Sequence, residues 1–412
     1  MPVVMTLEDL GPGLRLYQPL YMGNLVLLPA GRVLTEEDLD SLRKRFPNAH
    51  LSIADPVLDE FTEFENESHD QEVAVQVHRR LGRVLQTTRQ KLRGRTAMEG
   101  IDLAGMQRVV ADVMRYIGEN PVASAILRSS GGWSTHLQEH PANVFYLSLL
   151  IGTRIRQYVR DERTRQSAAR QMPQSFAVDL TPLAIGALFH DIGMVSIEHL
   201  YKKEEPLTAE ELEAVRAHPI EGETMLPRDM DPVTRMVVRS HHERFDGAGY
   251  PKGQPGKKVH IFSRILRVAD AYDSATSSQV YKSQARTPAR ALWEMTRGHA
   301  AKAYDPAVVR VFASLIQPFP IGAKIRLNCG RFGVVLRHDP REPFRPVIVI
   351  AFDEEGRRLP KKRLVGPIDL ADDVDVRLEE FAGEKLDYVN HMAPPESQPA
   401  PEKITLFDCH FP

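Results

Sequence analysis

The residues with most chemical capacity are histidines and aspartates that fall side by side inside otherwise apolar, helix-like stretches. In LAIGALFHDIG, His190 and Asp191 close an apolar run just before Gly193 releases the chain. Two polar groups at the inner end of an apolar helix need compensation. Metal coordination supplies it, since an imidazole nitrogen donates to one ion and a carboxylate can bridge two. AHPIEG places His218 ahead of a proline, VVRSHHERFDGAGYP sets His241 and His242 together, and RILRVADAYDSATS puts Asp270 and Asp273 on one largely apolar helix. Upstream, HLQEHPANVFYLSLLIG presents His136 and His140 four residues apart, on one face of a helix. Pro141 predicts that His140 lies near the helix start, with His136 ahead of the first turn. Imidazole and carboxylate donors without thiolate suit Fe, Mn, Zn or Ni better than Mg or Ca. A lone helical histidine is ordinarily a hydrogen-bonded core or surface group. The metal reading rests on adjacency and repetition, with seven of the 15 histidines between residues 136 and 242.

Such donors need rigid elements to hold them. From His136 to about Leu315 the chain reads as a succession of amphipathic helices, broken by the polar, aperiodic RDERTRQSAARQMPQSFAVD, which is expected to be a loop. The first sixty residues mix short apolar runs with Gly and Pro and predict a small β-rich module. One helix interrupts it, with Thr35 as N-cap, acidic residues in the first turn, and Leu39 and Leu42 on its apolar face. Residues 65 to 130 are helical in pattern, and their basic run RRLGRVLQTTRQKLRGR is read as a solvated helix face. After Pro318, IGAKIRLNCGRFGVVLRHD and RPVIVIAFDEEGRRL alternate or run apolar around turn residues, as strands do. The final stretch, rich in Pro and polar residues, is expected to be disordered.

Composition narrows the function classes. With 412 residues, a prior of roughly 150 per domain predicts two to three domains. A formal net charge of -2 argues against a general nucleic-acid or membrane-surface binder, although it leaves room for a local basic pocket. Cys329 and Cys409 are too few and too far apart for a disulfide framework or thiolate metal site, so a reducing cytoplasm is expected. No basic n-region with an apolar h-region opens the chain, and no uninterrupted apolar run approaches the roughly 20 residues that span a bilayer.

Taken in order, EHPANV, HDIG, AHPIEG, HHERFDGAGYPKG and SRILRVADAYDSATS resemble the HD-GYP family, the HD-domain phosphohydrolases associated with cyclic di-GMP hydrolysis. The resemblance covers about residues 130 to 318. More loosely, the later strands are similar to a β extension that follows such domains, and the first sixty residues to a β-rich region ahead of them. It implies a mainly α fold: an N-terminal β-rich module at 1–64, a helical linker or regulatory region at 65–130, a helical-bundle HD-GYP core at 131–318, a β-rich C-terminal extension at 319–385 and a disordered tail at 386–412. It also implies two divalent ions, commonly iron or manganese, bridged by Asp191. His140, His190 and Asp270 would complete one side, and His218, His241 and His242 the other, with His190 and Asp191 as the catalytic pair. The substrate implied is cyclic di-GMP, opened to pGpG and onward to GMP by attack of hydroxide held between the metals. Gly249, Tyr250 and Pro251 form the loop that shapes the pocket and, in the family, contacts partners such as diguanylate cyclases. Arg264 and Lys282 are the candidate phosphate contacts by position, and a homodimer through residues 65 to 130 is a further expectation.

Three positions depart from the family pattern. Met194 stands where a lysine that contacts phosphate is usual, and Gln279 where an arginine is usual, while Lys282 keeps a second charge. Both losses weaken phosphate binding and leave the metal ligands intact; Arg239, Arg244 or Lys252 are near enough in sequence to compensate. His136 takes the place of a glutamate in three-metal members and a tyrosine in two-metal ones. It is either a nitrogen ligand for a third metal or a non-ligand group, the latter being favoured. The resulting alternatives to hydrolysis of cyclic di-GMP are a weakened domain that senses a nucleotide or binds a partner, and a hydrolase of another cyclic dinucleotide.

Overall fold

A computed structural model describes residues 2–7, 10–17, 19–22, 25–46, 50–55, 58, 81, 103–119, 136–166, 178–203, 207–277 and 286–390. The expected mainly α fold, with small β-rich parts at both ends, is what it contains. Gln279 and Lys282 lie outside the described residues, as does most of the 65–130 region.

In the N-terminal module, β1 (Pro2–Thr6) pairs antiparallel with β4 (His50–Ala54), and β2 (Leu20–Met22) with β3 (Leu25–Leu28). Between them runs α1 (Glu36–Arg45). The hydroxyl of Thr35 accepts from the backbone N–H of Asp38, whose carboxylate accepts in return, and Leu39 and Leu42 face inward. The helical part comprises α2 (Leu103–Glu119), α3 (His136–Arg154), α4 (Arg156–Gln166), α5 (Thr181–Phe189), α6 (Ala209–Met225), α7 (Pro232–Ser240), α8 (Ile261–Thr276), α9 (Pro288–Thr296) and α10 (Pro306–Leu315). A 3₁₀ segment, Ile192–Lys202, links α5 to α6.

At the centre lies α8, in which every residue from Ile261 to Ala275 is buried. It packs on α3, which packs on α5, which packs on α7, and α6 closes the group against α7 and the 3₁₀ segment. A helix covered on every side cannot leave a charge unpaired. Arg264 therefore donates to Glu162 on α4, to Asp305 at the cap of α10, to the Val259 carbonyl at 3.0 Å and to the Tyr158 hydroxyl at 3.1 Å. Lys257 adds a second cation to Glu162 at 3.1 Å.

That cluster explains one departure from expectation. The polar segment expected as a loop begins as α4, which holds Glu162 and Arg163 in the interior. Their burial depends on partners distant in sequence, so no local period announces it. Similarly, α3 begins at His136 rather than near His140; Pro141 lies inside it, close enough to the start that little of the hydrogen-bond ladder is forfeited. The apolar stretch Thr181–Leu200 is long enough by composition to span a bilayer, but 72% of its apolar window is buried in the fold.

After α10, strands β5 (Lys324–Leu327), β6 (Phe332–Arg337), β7 (Val347–Phe352), β8 (Val365–Asp369), β9 (Leu378–Phe381) and β10 (Glu384–Lys385) form an antiparallel sheet of order β10-β9-β5-β6-β7-β8. All six residues of β7 are buried, because both its faces are covered. Ile348 and Ile350 join the core shared with the helices, whereas Val347, Val349 and Ala351 pack with Val3 and Leu58 of the N-terminal module. Arg358 clamps that second contact by donating to Asp55 at 2.7 Å. The expected disordered tail does not begin at 386. Leu386, Tyr388 and Val389 are buried around α11 (Asp387–Asn390), where Tyr388 meets Trp293 of α9; residues 391–412 lie outside the described residues.

His260 caps α8 by accepting from the Phe262 N–H at Nδ1, 3.2 Å away. Burial, with the neighbouring Arg163 and Arg264 charges, pushes its imidazole down to about 3. Below the unfolded value of about 6.5 the unfolded chain takes up a proton that the folded chain refuses. Stability present above pH 6.5 is therefore lost as pH falls from about 6.5 toward about 3. Urea midpoints measured across that window should fall less steeply for His260→Asn, which keeps a capping acceptor and removes the titration. An equal slope would rule out this assignment.

Candidate metal centre

Five helical elements deliver the expected donors to one place. His190 ends α5 with Asp191 next to it, His218 lies within α6, and His241 and His242 follow the last turn of α7. From α3 comes His140, and from α8 come Asp270 and Asp273. All are buried. Two groups have converging ligand atoms within 4.8 Å of one another: Asp191, His218, His241 and His242, and His140, His190 and Asp191.

Asp191 sits between the two groups. Its Oδ1 lies 3.3 Å from His218 Nε2 and 3.7 Å from His241 Nε2. Its Oδ2 lies 3.5 Å from His190 Nε2 and 3.7 Å from His140 Nε2. Asp270 adds an oxygen to the second group, 3.3 Å from His140 Nε2 and 3.8 Å from His190 Nε2.

The far side of each ring decides what the near side offers. His190 Nδ1 faces the Ala187 carbonyl at 2.8 Å, His218 Nδ1 that of Val215 at 2.6 Å, and His241 Nδ1 that of Val238 at 2.7 Å. His140 Nδ1 faces Asp273 Oδ2 at 2.6 Å. A carbonyl or carboxylate only accepts, so in each ring Nδ1 carries the hydrogen and Nε2 presents a lone pair inward. Those lone pairs then confront each other, His140 with His190 at 3.2 Å and His218 with His241 at 3.1 Å. Acceptors held face to face beside two carboxylates repel unless a cation lies among them, so the donor set fits divalent metal.

The titration tendencies agree. Burial lowers His140, yet hydrogen bonds to Asp270 and Asp273 outweigh it and push the imidazole up to about 10, a proton taking the role a cation would fill. Burial pushes His241 down to about 4, and it lowers His190 as well. Burial opposes the charge on Asp191, but the surrounding imidazoles hold its carboxyl well below the usual range.

Asp273, left undecided in sequence, orients His140 and receives a second bond from Asn143 Nδ2 at 2.7 Å. Asn143 was not singled out, although it stands three residues after His140 and so on the same helical face. Asp273→Asn should weaken metal retention by about 10- to 100-fold while leaving the ligand count unchanged. Competition with a chelating dye measures it, and unchanged retention would remove the orienting role.

The Gly249, Tyr250 and Pro251 loop folds back over the centre, with the Tyr250 ring stacked on His242 at 4.8 Å. Gly249 has no room for a side chain, since a Cβ would lie 2.3 Å from the Arg244 nitrogen and 2.4 Å from the His242 carbonyl oxygen. Glu243 was also overlooked, though it directly follows the paired histidines. Buried, it accepts from the backbone N–H groups of Lys252 at 2.7 Å and Gln254 at 2.9 Å, and so ties the loop down.

Several expected substrate contacts are placed elsewhere. Arg264 is 3% exposed with its guanidinium engaged by Glu162, Asp305, Tyr158 and Val259, so it serves the interior and not a phosphate. Arg244 is held by both oxygens of Asp246, at 2.9 and 2.6 Å. Met194 is buried among Leu200, Leu212 and Val215 and brings no polar group to the centre. His136 opens α3, one turn before His140; its side chain lies outside the described residues.

Two stretches of the chain match known domain families. Residues 153–308 match the family model of an HD domain, and residues 324–377 that of a KOW domain associated with HD domains. The chain is 35% identical over 179 residues to the cyclic di-GMP phosphodiesterase PA4108 of Pseudomonas aeruginosa, covering 42% of each chain. It is 32% identical over 142 residues to a cyclic di-GMP phosphodiesterase of Thermotoga maritima, covering 34% of this chain and 38% of that one. To 3'3'-cGAMP-specific phosphodiesterase 3 of Vibrio cholerae it is 33% identical over 117 residues, 28% of this chain and 25% of that one. The matched stretch thus spans less than half the length of each of these relatives.

Proposed function

We propose that this chain, whose residues 153–308 match an HD domain, is a metal-dependent phosphodiesterase of the HD-GYP type that hydrolyses cyclic di-GMP to pGpG and onward to GMP. The observation that carries the reading is the pair of buried donor groups joined by the two oxygens of Asp191. His140, His190, Asp270 and Asp191 Oδ2 would hold one divalent ion, and Asp191 Oδ1, His218, His241 and His242 the other. Iron or manganese suits such nitrogen and oxygen donors.

When bound, two cations lower the pKa of a water held between them and stabilise the charge that builds on a phosphodiester under in-line attack. The chain's own contribution is orientation and exclusion of bulk water. Carbonyl and carboxylate acceptors fix the tautomers of His140, His190, His218 and His241, so none of these four rings must turn during turnover. Stacked on His242 and tethered by Glu243, the loop holds one wall of the centre still. The linkage of cyclic di-GMP signalling to partners through this loop, and a cytoplasmic location, belong to the same proposal.

Protein purified without oxygen, analysed for metal and incubated with cyclic di-GMP, should yield pGpG on chromatography; metal-loaded protein that leaves the substrate intact refutes the reading. A second reading, a nucleotide sensor or partner-binding regulator with weakened hydrolysis, is favoured by one observation. Met194 is buried in apolar surroundings and gives the centre no cation for phosphate. Binding of cyclic di-GMP without turnover supports that second reading. Side-by-side turnover of 3'3'-cGAMP tests the choice of substrate.

A further inference from the structure

Beside the metal centre opens a cleft of about 830 Å³ whose charge the proposed hydrolysis does not use. Its cations are Arg165, Arg235, Arg239, Lys252, Lys257 and Lys258, against the single carboxylate of Glu223 in its lining. Some are already engaged. Arg235 donates to the Glu223, Leu226 and Pro227 carbonyls at the end of α6, Arg239 pairs with Glu223 at 2.9 Å, and Arg165 and Lys257 pair with Glu162. The Arg239 Nε–H is buried with no acceptor among the described residues. The exposed ammonium groups of Lys252 and Lys258 form no ion pair among them either. A concave wall with an excess of cations focuses its field on an incoming anion.

The rest of the lining is of another kind. Pro232, Met236 and the neutral ring of His260 provide an apolar side on which a flat heterocycle can rest. The volume lies within the range for organic ligands and greatly exceeds what one phosphate needs. None of the residues in the two metal-binding groups lines the cleft. The two sites share a wall, however. Arg239 and Ser240 directly precede His241, and Lys252 and Gln254 belong to the loop that Glu243 tethers.

We infer that this cleft is a second ligand site, for a phosphorylated nucleoside, with the phosphates on Lys252, Lys258 and Arg239 and the base against Met236 and Pro232. Occupancy bears on the centre through the shared wall, since the same loop and helix end carry His241, His242 and Tyr250. The inference stands whether or not the metal centre hydrolyses cyclic di-GMP.

Calorimetry on the full chain treated with a chelator separates the two, because no turnover occurs there. GDP and inorganic pyrophosphate are the probes, and they carry the same diphosphate. Metal-free protein should bind GDP, and pyrophosphate more weakly. A double variant, Lys252→Gln with Lys258→Gln, should weaken both at least tenfold, about the worth of one charge-assisted contact. Both side chains are exposed, so circular dichroism and melting should match the wild type. Met236→Ala should weaken GDP selectively. Absence of GDP binding to the metal-free chain, or affinity undiminished in the double variant, overturns the site. Pyrophosphate binding as tightly as GDP overturns the nucleoside assignment.

Discussion

Asp191→Asn should strip both metal equivalents from the protein, whereas His218→Ala should strip one. Each oxygen of Asp191 faces a different pair of imidazole nitrogens, at 3.3 and 3.7 Å on one side and 3.5 and 3.7 Å on the other. An asparagine fills the same space but replaces one oxygen with an NH₂ group and removes the negative charge. Whichever way the amide turns, one group of donors gains an N–H where it needs an anion, and the other keeps only a neutral carbonyl. Both affinities fall, and with them any reaction that depends on two cations acting together. Loss of turnover by about a thousandfold or more is expected. His218 belongs to one group only, so its removal leaves His140, His190, Asp191 and Asp270 in place. Elemental analysis of the two variants after purification without oxygen reads the difference. Two retained equivalents in Asp191→Asn would break the bridging assignment.

The second large effect is expected at a residue with no side chain. Gly193 lies where the segment after Asp191 presses on α6, and a Cβ there would fall 2.2 Å from the His218 carbonyl oxygen and 2.8 Å from the Gly222 nitrogen. Both are backbone atoms, so no rotamer change relieves the contact. Gly193→Ala must therefore push the segment away from α6 by roughly an ångström, parting Asp191 from His218. Overpacking of this kind costs about 1–3 kcal/mol of stability. A displacement near 1 Å at a reacting centre costs about a hundredfold in rate. The useful comparison is Gly186→Ala, whose Cβ would meet Val237 Cγ1 at 2.6 Å, a side-chain atom one helical turn from the nearest ligands and not backbone between them. Gly186→Ala should lower the melting temperature with metal content kept, and Gly193→Ala should lower both. Equal metal content in the two variants would remove the positioning role of Gly193.

Much of the centre was legible along the chain because the donors come in adjacent pairs. His190 with Asp191 closes an apolar helix and His241 with His242 follows an apolar helical turn, a costly arrangement that signals itself. The helix after Thr35 was legible for a similar reason, since capping is a contact between residues three apart. Less legible was the continuation of α4 into a polar segment. Glu162 is buried there because Arg264 meets it from 102 positions away, and no window of sequence contains both. The same pairing removed Arg264 from the list of phosphate contacts.

The sequence by itself determined the chemistry available: imidazoles and carboxylates in number, no paired thiolates, and helices to carry them. Tertiary structure alone decided which atoms act. Packing of α8 against α3 turned Asp273 toward His140 Nδ1 and Asp270 toward its Nε2, so two carboxylates three residues apart face opposite sides of one ring. It also gathered lysines and arginines from α4, α7 and the loop after Glu243 around one cleft. Side-chain type is written in the chain, but the direction of a lone pair and the sign of a cavity depend on neighbours that only folding brings together.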